Sequence, residues 1–209
     1  YFWSVQHNIE GLISILKGKE NFEKKLDSMF NLSPLLGDKL PIFSTGMIGQ
    51  YAHGNEPSHH VAYLYNYVDK PWKTQEKIKE ILETQYQNSS AGHCGNEDCG
   101  QMSSWYLFSS LGFYPVNPAQ GIYNIGFPIF DKAVINLENG NHFSVIVKNN
   151  NSGFKYIKSM ILNGKKLKRN YITHNEIMQG GTLVFIKSEL PNNTLKMRNA
   201  LTSQIYKSQ

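Results

Sequence analysis

The stretch GFYPVNPAQG, residues 112–121, divides the chain into two kinds of pattern. Upstream of it, apolar residues recur at helical spacing: first Ile9, Leu12, Ile13 and Leu16, then Phe22, Leu26, Met29 and Phe30 after a break at Lys17-Gly18. Val61, Leu64, Tyr65 and Val68 make a third stripe, introduced by Pro57 as a first-turn proline. Ile78, Ile81 and Leu82 make a fourth, and Met102, Trp105, Tyr106 and Leu111 a fifth that stops at Gly112. A period near 3.6 predicts a layer of helices joined by polar loops. Downstream the period drops to 2. Phe143, Val145 and Val147 alternate with Ser144, Ile146 and Lys148 between the turn ENGN and the loop NNNSG. KYIKSMIL, the hairpin-like NGKKL and LVFI after Gly180-Gly181 follow, which predicts short antiparallel strands. The chain therefore reads as α+β, helical over residues 1–117 and β-rich over 118–209, with no flexible linker between the parts.

At 209 residues the chain is long enough for one large or two small domains. No run approaches the roughly 18 apolar residues of a membrane span, so none is expected. The formal net charge of +5 comes mostly from lysines, many of them in the C-terminal half, as in NGKKLKRNY beside an Asn-Gly turn. A nucleic-acid surface would interleave a basic stripe with stacking aromatics. Solvated turns fit this distribution better, and no nucleic-acid partner is expected. The opening YFWSVQHN would leave three aromatics at a solvated end, which points to a segment that begins inside a domain.

Reactive residue types concentrate at two loop-to-helix junctions, HGNEPSHH (residues 53–60) and HCGNEDCGQMSSW (residues 93–105). Each places carboxylates and amides where a helix start leaves free N–H groups and a positive dipole end. Taken alone, Asp98 with Gln101 three residues on reads as a capping box, and Asn55 as a cap of the third stripe. Capping leaves Glu97 beside Asp98 and Glu56 beside Asn55 unexplained, and two acidic junctions of one design favour a shared cleft. Paired carboxylates in a cleft either hold a hard cation through oxygen or act as acid and base in glycoside hydrolysis. Tyr1, Phe2, Trp3, Trp72, Trp105 and Tyr106 crowd the same segments, and serve equally as sugar-stacking faces or as core. Zinc fits poorly, because Cys94 and Cys99 have no second thiolate pair and no H-x3-H or H-E-x-x-H pattern accompanies them. Their spacing leaves open whether they bond to each other.

GNEPSHHVAYLYNYVDKPWKTQ (residues 54–75), GNEDCGQMSSWYLFSSLGFYPVNPAQGIYNIGFPIF (residues 95–130) and, less closely, YFWSVQHNIEGLI (residues 1–13) resemble the C-terminal catalytic portion of glycoside hydrolase family 92. These are the calcium-dependent exo-acting α-mannosidases. FSVIVKNNNSGFKYIKSMILNGKKL and GGTLVFI extend the resemblance over nearly the whole chain. The resemblance implies that the first part supplies the closing helices of an (α/α)6 barrel and that an antiparallel β-sandwich-like segment follows. It also implies inverting hydrolysis of terminal α-linked mannose, of α-1,2 type, from N-glycan-type oligosaccharides. A secreted, periplasmic or cell-surface location goes with that role.

On the matching positions, Asn55 and Glu56 would hold Ca2+ and Asp98 would be the general base. Asn96 stands where many members carry a second Asp that shares the base's role. Trp3, His53 and Glu97 would contact the sugar, and Gln6 and Asn8 replace the Pro and Asp of the family's usual PHD. The family's general acid, a Glu, would lie just upstream of the segment matching YFWSVQHN. The chain is therefore expected to need an upstream part of the same polypeptide and to be inactive alone. A non-catalytic carbohydrate-binding remnant is the alternative, and a structural module whose acidic junctions are only caps is a third.

Overall fold

The computed structural model describes residues 2–35, 38–40, 44–151, 153–192 and 194–197, so Tyr1 of the aromatic opening lies outside the described residues. Helix α1 (Ile9–Ile15) starts where the Asn8 side chain accepts the Gly11 N–H at 2.9 Å. It stops at Lys17 and Gly18, both with positive φ, and α2 (Lys19–Asn31) follows with Phe22, Leu26 and Phe30 on its buried face. A small antiparallel hairpin, β1 (Met47–Ile48) with β2 (Tyr51–Ala52), then leads into the first acidic junction.

The third stripe departs from expectation. It is a 3₁₀ helix over Val61–Val68, preceded by a separate short turn, Glu56–Ser58, that contains Pro57. All eight residues of Val61–Val68 are buried, so this segment has no solvent face for an amphipathic period to report. Its aromatic and β-branched residues also weaken the preference for α-helix. Asp69, with φ +60, ends it. Helices α3 (Pro71–Thr84) and α4 (Gln101–Leu111) agree with their stripes, α3 having Pro71 in its first turn. Gly112, with φ +95, closes α4 by donating its N–H to the Ser109 carbonyl at 3.0 Å.

Two sheets follow. Strands β3 (Phe113–Tyr114) and β4 (Ile122–Ile125) pair in one, and β5 (Lys132–Asn136), β6 (His142–Lys148), β7 (Tyr156–Leu162) and β8 (Lys165–Leu167) belong to the other. The chain then returns to the first sheet as β9 (Tyr171–Thr173), makes the short helix α5 (His174–Met178) and forms β10 (Gly181–Ser188). The order of the larger sheet is β5-β6-β10-β7-β8. The expectation of an all-antiparallel unit is corrected here, because β10 runs parallel to β6 while antiparallel to β7. The excursion through β9 and α5 supplies the crossover that a parallel pair needs.

The two sheets share one apolar core. Phe113, Ile125 and Ile172 of the smaller sheet pack with Phe143, Val145, Met160, Leu183 and Phe185 of the larger. Residue 117 is no clean border: β3 lies before it, and Phe127 beyond it packs in the helical core. Polar ties cross the layers as well. Asn66 donates to the Ile125 carbonyl at 2.9 Å and accepts from Asn170 at 2.5 Å, and the Gln75 side chain accepts the Ile157 N–H at 3.0 Å. Buried amides held in this way fix the relative position of the layers, since breaking one would strand its partner.

Gly112 stands at the turn between them. A Cβ there would meet Pro128 Cβ at 2.8 Å and Phe185 Cε2 at 3.2 Å, on a backbone of the left-handed region. Gly112→Ala is expected to lower unfolding stability by about 1–2 kcal/mol from backbone strain alone. Chemical denaturation checks this, and an unchanged midpoint would contradict it.

Candidate active site

Both acidic junctions are built as backbone-stapled loops. In the first, His53 N–H bonds to the Gly46 carbonyl and Gly54 N–H to the Thr45 carbonyl, each at 3.1 Å. The Ser58 hydroxyl donates to the carbonyls of Ala52 and Asn55 at 2.5 and 2.7 Å, which pulls the chain back on itself. Asn55 precedes the 3₁₀ turn but its side chain caps nothing and is exposed, while Glu56 is half-buried. Asn55 thus does not serve as the side-chain cap that its position suggested.

In the second junction the helix start is shifted. Asp98, Cys99 and Gly100 have φ of +49, +56 and +88, and Gly100 occupies the cap position with no side chain to offer. The capping carboxylate is instead Glu97, whose Oε1 accepts the Ser103 N–H at 3.1 Å while Oε2 meets His93 Nε2 at 3.0 Å. The Ser103 backbone N–H, first among the causes, holds the Glu97 carboxyl below its ordinary pKa. Glu97 therefore engages both oxygens with neighbouring groups, and Asp98, expected as the cap, is left exposed with Asn96. Cys94 and Cys99 are free thiols.

The two loops meet through glycine. A Cβ on Gly95, φ +71, would stand 2.5 Å from the Gly54 carbonyl oxygen and 2.8 Å from Gly54 Cα. Only a residue without Cβ allows this approach. A second link runs beneath it. Gln101 Nε2 donates to His59 Nδ1 at 2.9 Å and to the Tyr114 hydroxyl at 3.3 Å, and Trp105 Nε1 donates to the His59 carbonyl at 3.0 Å. The start of α4 is thereby fastened to the residues that follow Glu56.

Three histidines form the floor. His53 is fully buried, with Nδ1 2.8 Å from the Tyr51 hydroxyl, Nε2 2.8 Å from the Tyr86 hydroxyl, and its ring edge-on to Trp105 at 4.3 Å. A fully enclosed ring with both nitrogens engaged has no face for a sugar, so the expectation of a His53 contact is corrected to a supporting place in the core. His59 Nε2 donates to the His53 carbonyl at 2.9 Å, and His60 Nε2 to the Trp3 carbonyl at 2.7 Å. Gln6 Nε2 lies 3.2 Å from His60 Nδ1, so Gln6 helps to hold the N-terminal segment. Burial pushes all three histidines below their ordinary pKa, His53 to about 2.

Trp3 and Asn55 share a shallow cleft of about 190 Å³ with Gln50, Pro57 and Ser58. Sequence patterns found the two acidic loops, with His59 inside one and Gln101 as a capping partner in the other, but missed Tyr51 and Tyr86 and the Gln101–His59 link.

In comparisons with known proteins, residues 1–188 match the glycosyl hydrolase family 92 catalytic domain. An uncharacterized secreted glycosidase of Arthroderma benhamiae is 30% identical over 182 residues, or 86% of this chain and 21% of its own. The family GH92 α-mannosidase of Bacteroides thetaiotaomicron, solved in complex with mannoimidazole, aligns with a TM-score of 0.83 at 43% identity, covering 88% of this chain and 24% of its own. A family GH92 inverting mannosidase from the same species gives a TM-score of 0.79 at 40% identity, over 92% of this chain and 27% of its own. The chain thus spans between about a fifth and a quarter of the length of these relatives.

Two outcomes follow from the geometry. Gly95→Ala would drive a methyl into Gly54 backbone that has no rotamer to yield, and a stability loss of roughly 2–4 kcal/mol is expected from strain plus overpacking. A denaturation midpoint equal to the parent's would contradict the contact. The histidines set the pH response. The unfolded chain takes up their protons near the ordinary value of 6.5, while the folded chain resists down to lower pH. Stability is then whole above about pH 7 and falls as pH drops below about 6.5, by up to about 1.4 kcal/mol per pH unit for each histidine. Thermal melts from pH 8 to 4.5 check this, and melting temperatures that stay flat to pH 5 would contradict it.

Proposed function

Because the chain belongs to glycosyl hydrolase family 92, we propose that it is the base-bearing and metal-bearing portion of an inverting exo-α-mannosidase of α-1,2 type. Its substrate would be terminal mannose on N-glycan-type oligosaccharides. The observation that carries this reading is the meeting of the two acidic loops at Gly54 and Gly95, which sets Asn55 and Glu56 on a loop adjoining that of Asn96 and Asp98. The relatives support it, one being an α-mannosidase in complex with mannoimidazole and another an inverting mannosidase. In this reading the helices of the first part help to close an (α/α)6 barrel. The rest of the barrel and a Glu general acid, upstream of Tyr1, come from the same polypeptide. A secreted, periplasmic or cell-surface place agrees with the relative described as a secreted glycosidase. Among the described residues no helix is long and apolar enough to cross a membrane.

Asp98 acts as the general base. Its carboxylate takes a proton from a water as that oxygen bonds to the anomeric carbon, on the face opposite the breaking glycosidic bond. The upstream acid, its carboxyl about 6.5–9.5 Å from that of Asp98 as inversion requires, gives its proton to the leaving oxygen. Asn96 is an amide and cannot take a proton, so it hydrogen-bonds the water and leaves Asp98 as sole base. Trp3, half-buried at the cleft it shares with Asn55, offers an aromatic face to the mannose.

Asn55 and Glu56 would hold Ca2+. Both offer hard oxygen donors, and the Asn55 side chain is exposed and caps no helix. Two such ligands fit calcium, which takes 6–8 oxygens and accepts the others from water or sugar hydroxyls. They offer neither the thiolate nor the imidazole donors that zinc sites favour. When bound, the ion would supply positive charge against sugar hydroxyls.

The test uses an α-1,2-mannobioside. In the whole polypeptide Asp98→Asn is expected to lower kcat by about 10²–10⁴, the usual contribution of a positioned base, and the 209 residues alone to give no turnover because the acid is missing. Robust hydrolysis by the 209-residue chain, or full kcat in Asp98→Asn, would contradict the proposal.

A further inference from the structure

We propose that Glu97 is the positioning residue that aims Asp98, rather than a sugar ligand. The proposal rests on Asp98 being the base. Residue 97 is held three times, twice by the first turn of α4 and once by His93. Its carbonyl accepts the Met102 N–H at 3.3 Å, its Oε1 accepts the Ser103 N–H at 3.1 Å, and its Oε2 is held by His93 Nε2 at 3.0 Å. Gly100, at the cap position, makes no side-chain bond, so this carboxylate does the work that the cap residue ordinarily does.

What the grip restrains is a strained turn. Asp98, Cys99 and Gly100 follow one another in the left-handed region, which costs about 1–2 kcal/mol for each non-glycine residue. Such a run persists only where both ends are fixed. Downstream it is fixed by α4, whose Ser104 N–H bonds to the Gly100 carbonyl at 2.9 Å, and upstream by Glu97. The Asp98 carbonyl accepts the Gln101 N–H at 3.2 Å, so its main chain is tied while its side chain points free of the turn. Released from Glu97, residues 98 and 99 would relax toward right-handed backbone and swing the carboxylate away from the water it must deprotonate. His93 belongs to the same device. It is itself one half of an isolated antiparallel bridge with Tyr86, so the hold reaches back to the end of α3.

The experiment compares Glu97→Ala, Glu97→Gln and Asp98→Asn in the whole polypeptide, with kcat and KM on an α-1,2-mannobioside measured well below each melting temperature. Glu97→Ala is expected to lower kcat roughly 10- to 100-fold with KM within about twofold, as misplacement of a reacting group does. Glu97→Gln keeps an oxygen for the Ser103 N–H and is expected to recover most of that loss. A rise in KM at constant kcat would make Glu97 a sugar ligand and overturn the proposal. A lower melting temperature with kcat intact would make it a structural cap and overturn it equally. Should Glu97→Ala fail to fold, His93→Gln reports in its place: a several-fold fall in kcat is expected, and an unchanged kcat overturns the proposal. If Asp98→Asn keeps full activity, the base itself is misassigned and the proposal falls with it. If Asp98→Asn is inactive while Glu97→Ala and His93→Gln keep full kcat, the base stands and only the positioning role fails.

Discussion

Gly54 lying against Gly95 is the contact on which the site depends. The side-chain links could be altered by a change of rotamer, but backbone against backbone leaves no such freedom. The approach brings two loops, distant in sequence, into backbone contact. Beyond the short Glu56–Ser58 turn the loops carry little regular structure, so their position comes from what they are stapled to: the β1–β2 hairpin on one side and the start of α4 on the other. Beneath them His59, Gln101 and Trp105 convert the meeting into a continuous hydrogen-bonded floor.

That floor is polar yet buried, which makes it demanding. Each histidine nitrogen must find a partner or incur the cost of an unsatisfied buried group. His59 and His60 are assigned one neutral form by their partners, since Nε2 donates to a carbonyl and Nδ1 faces the amide nitrogen of a glutamine. His53 sits between two tyrosine hydroxyls, one of which donates and the other accepts. A floor of this kind holds only if every member stays neutral, so the same burial that rigidifies the site also makes it sensitive to acid.

Much of this was legible from the sequence, and the failures have physical causes. Helices α1, α2, α3 and α4 each keep one face in solvent, and an apolar period reports such faces directly. Val61–Val68 is buried all round, so Ala62, Tyr63, Asn66 and Tyr67 are as enclosed as the residues of the supposed stripe. The capping signal at Asp98 and Gln101 was sound as a pattern but one residue off. The left-handed run at 98–100 shifts the helix start, and the acid before Asp98 becomes the cap. The insertion of β10 between β6 and β7 depends on tertiary pairing that no local period encodes. The repeated Gly-Asn-Glu of the two junctions was visible, but nothing in spacing says which glycine meets which.

The claim at the centre is therefore geometric, and proton NMR of the folded polypeptide tests it most directly. With Gly54 and Gly95 selectively labelled, strong nuclear Overhauser effects between their Hα protons are predicted, persisting when Asn55 or Asp98 is replaced by alanine. Absence of any such effect, with the Gly95 signals of a solvent-exposed loop, would contradict the account of two junctions held as one site.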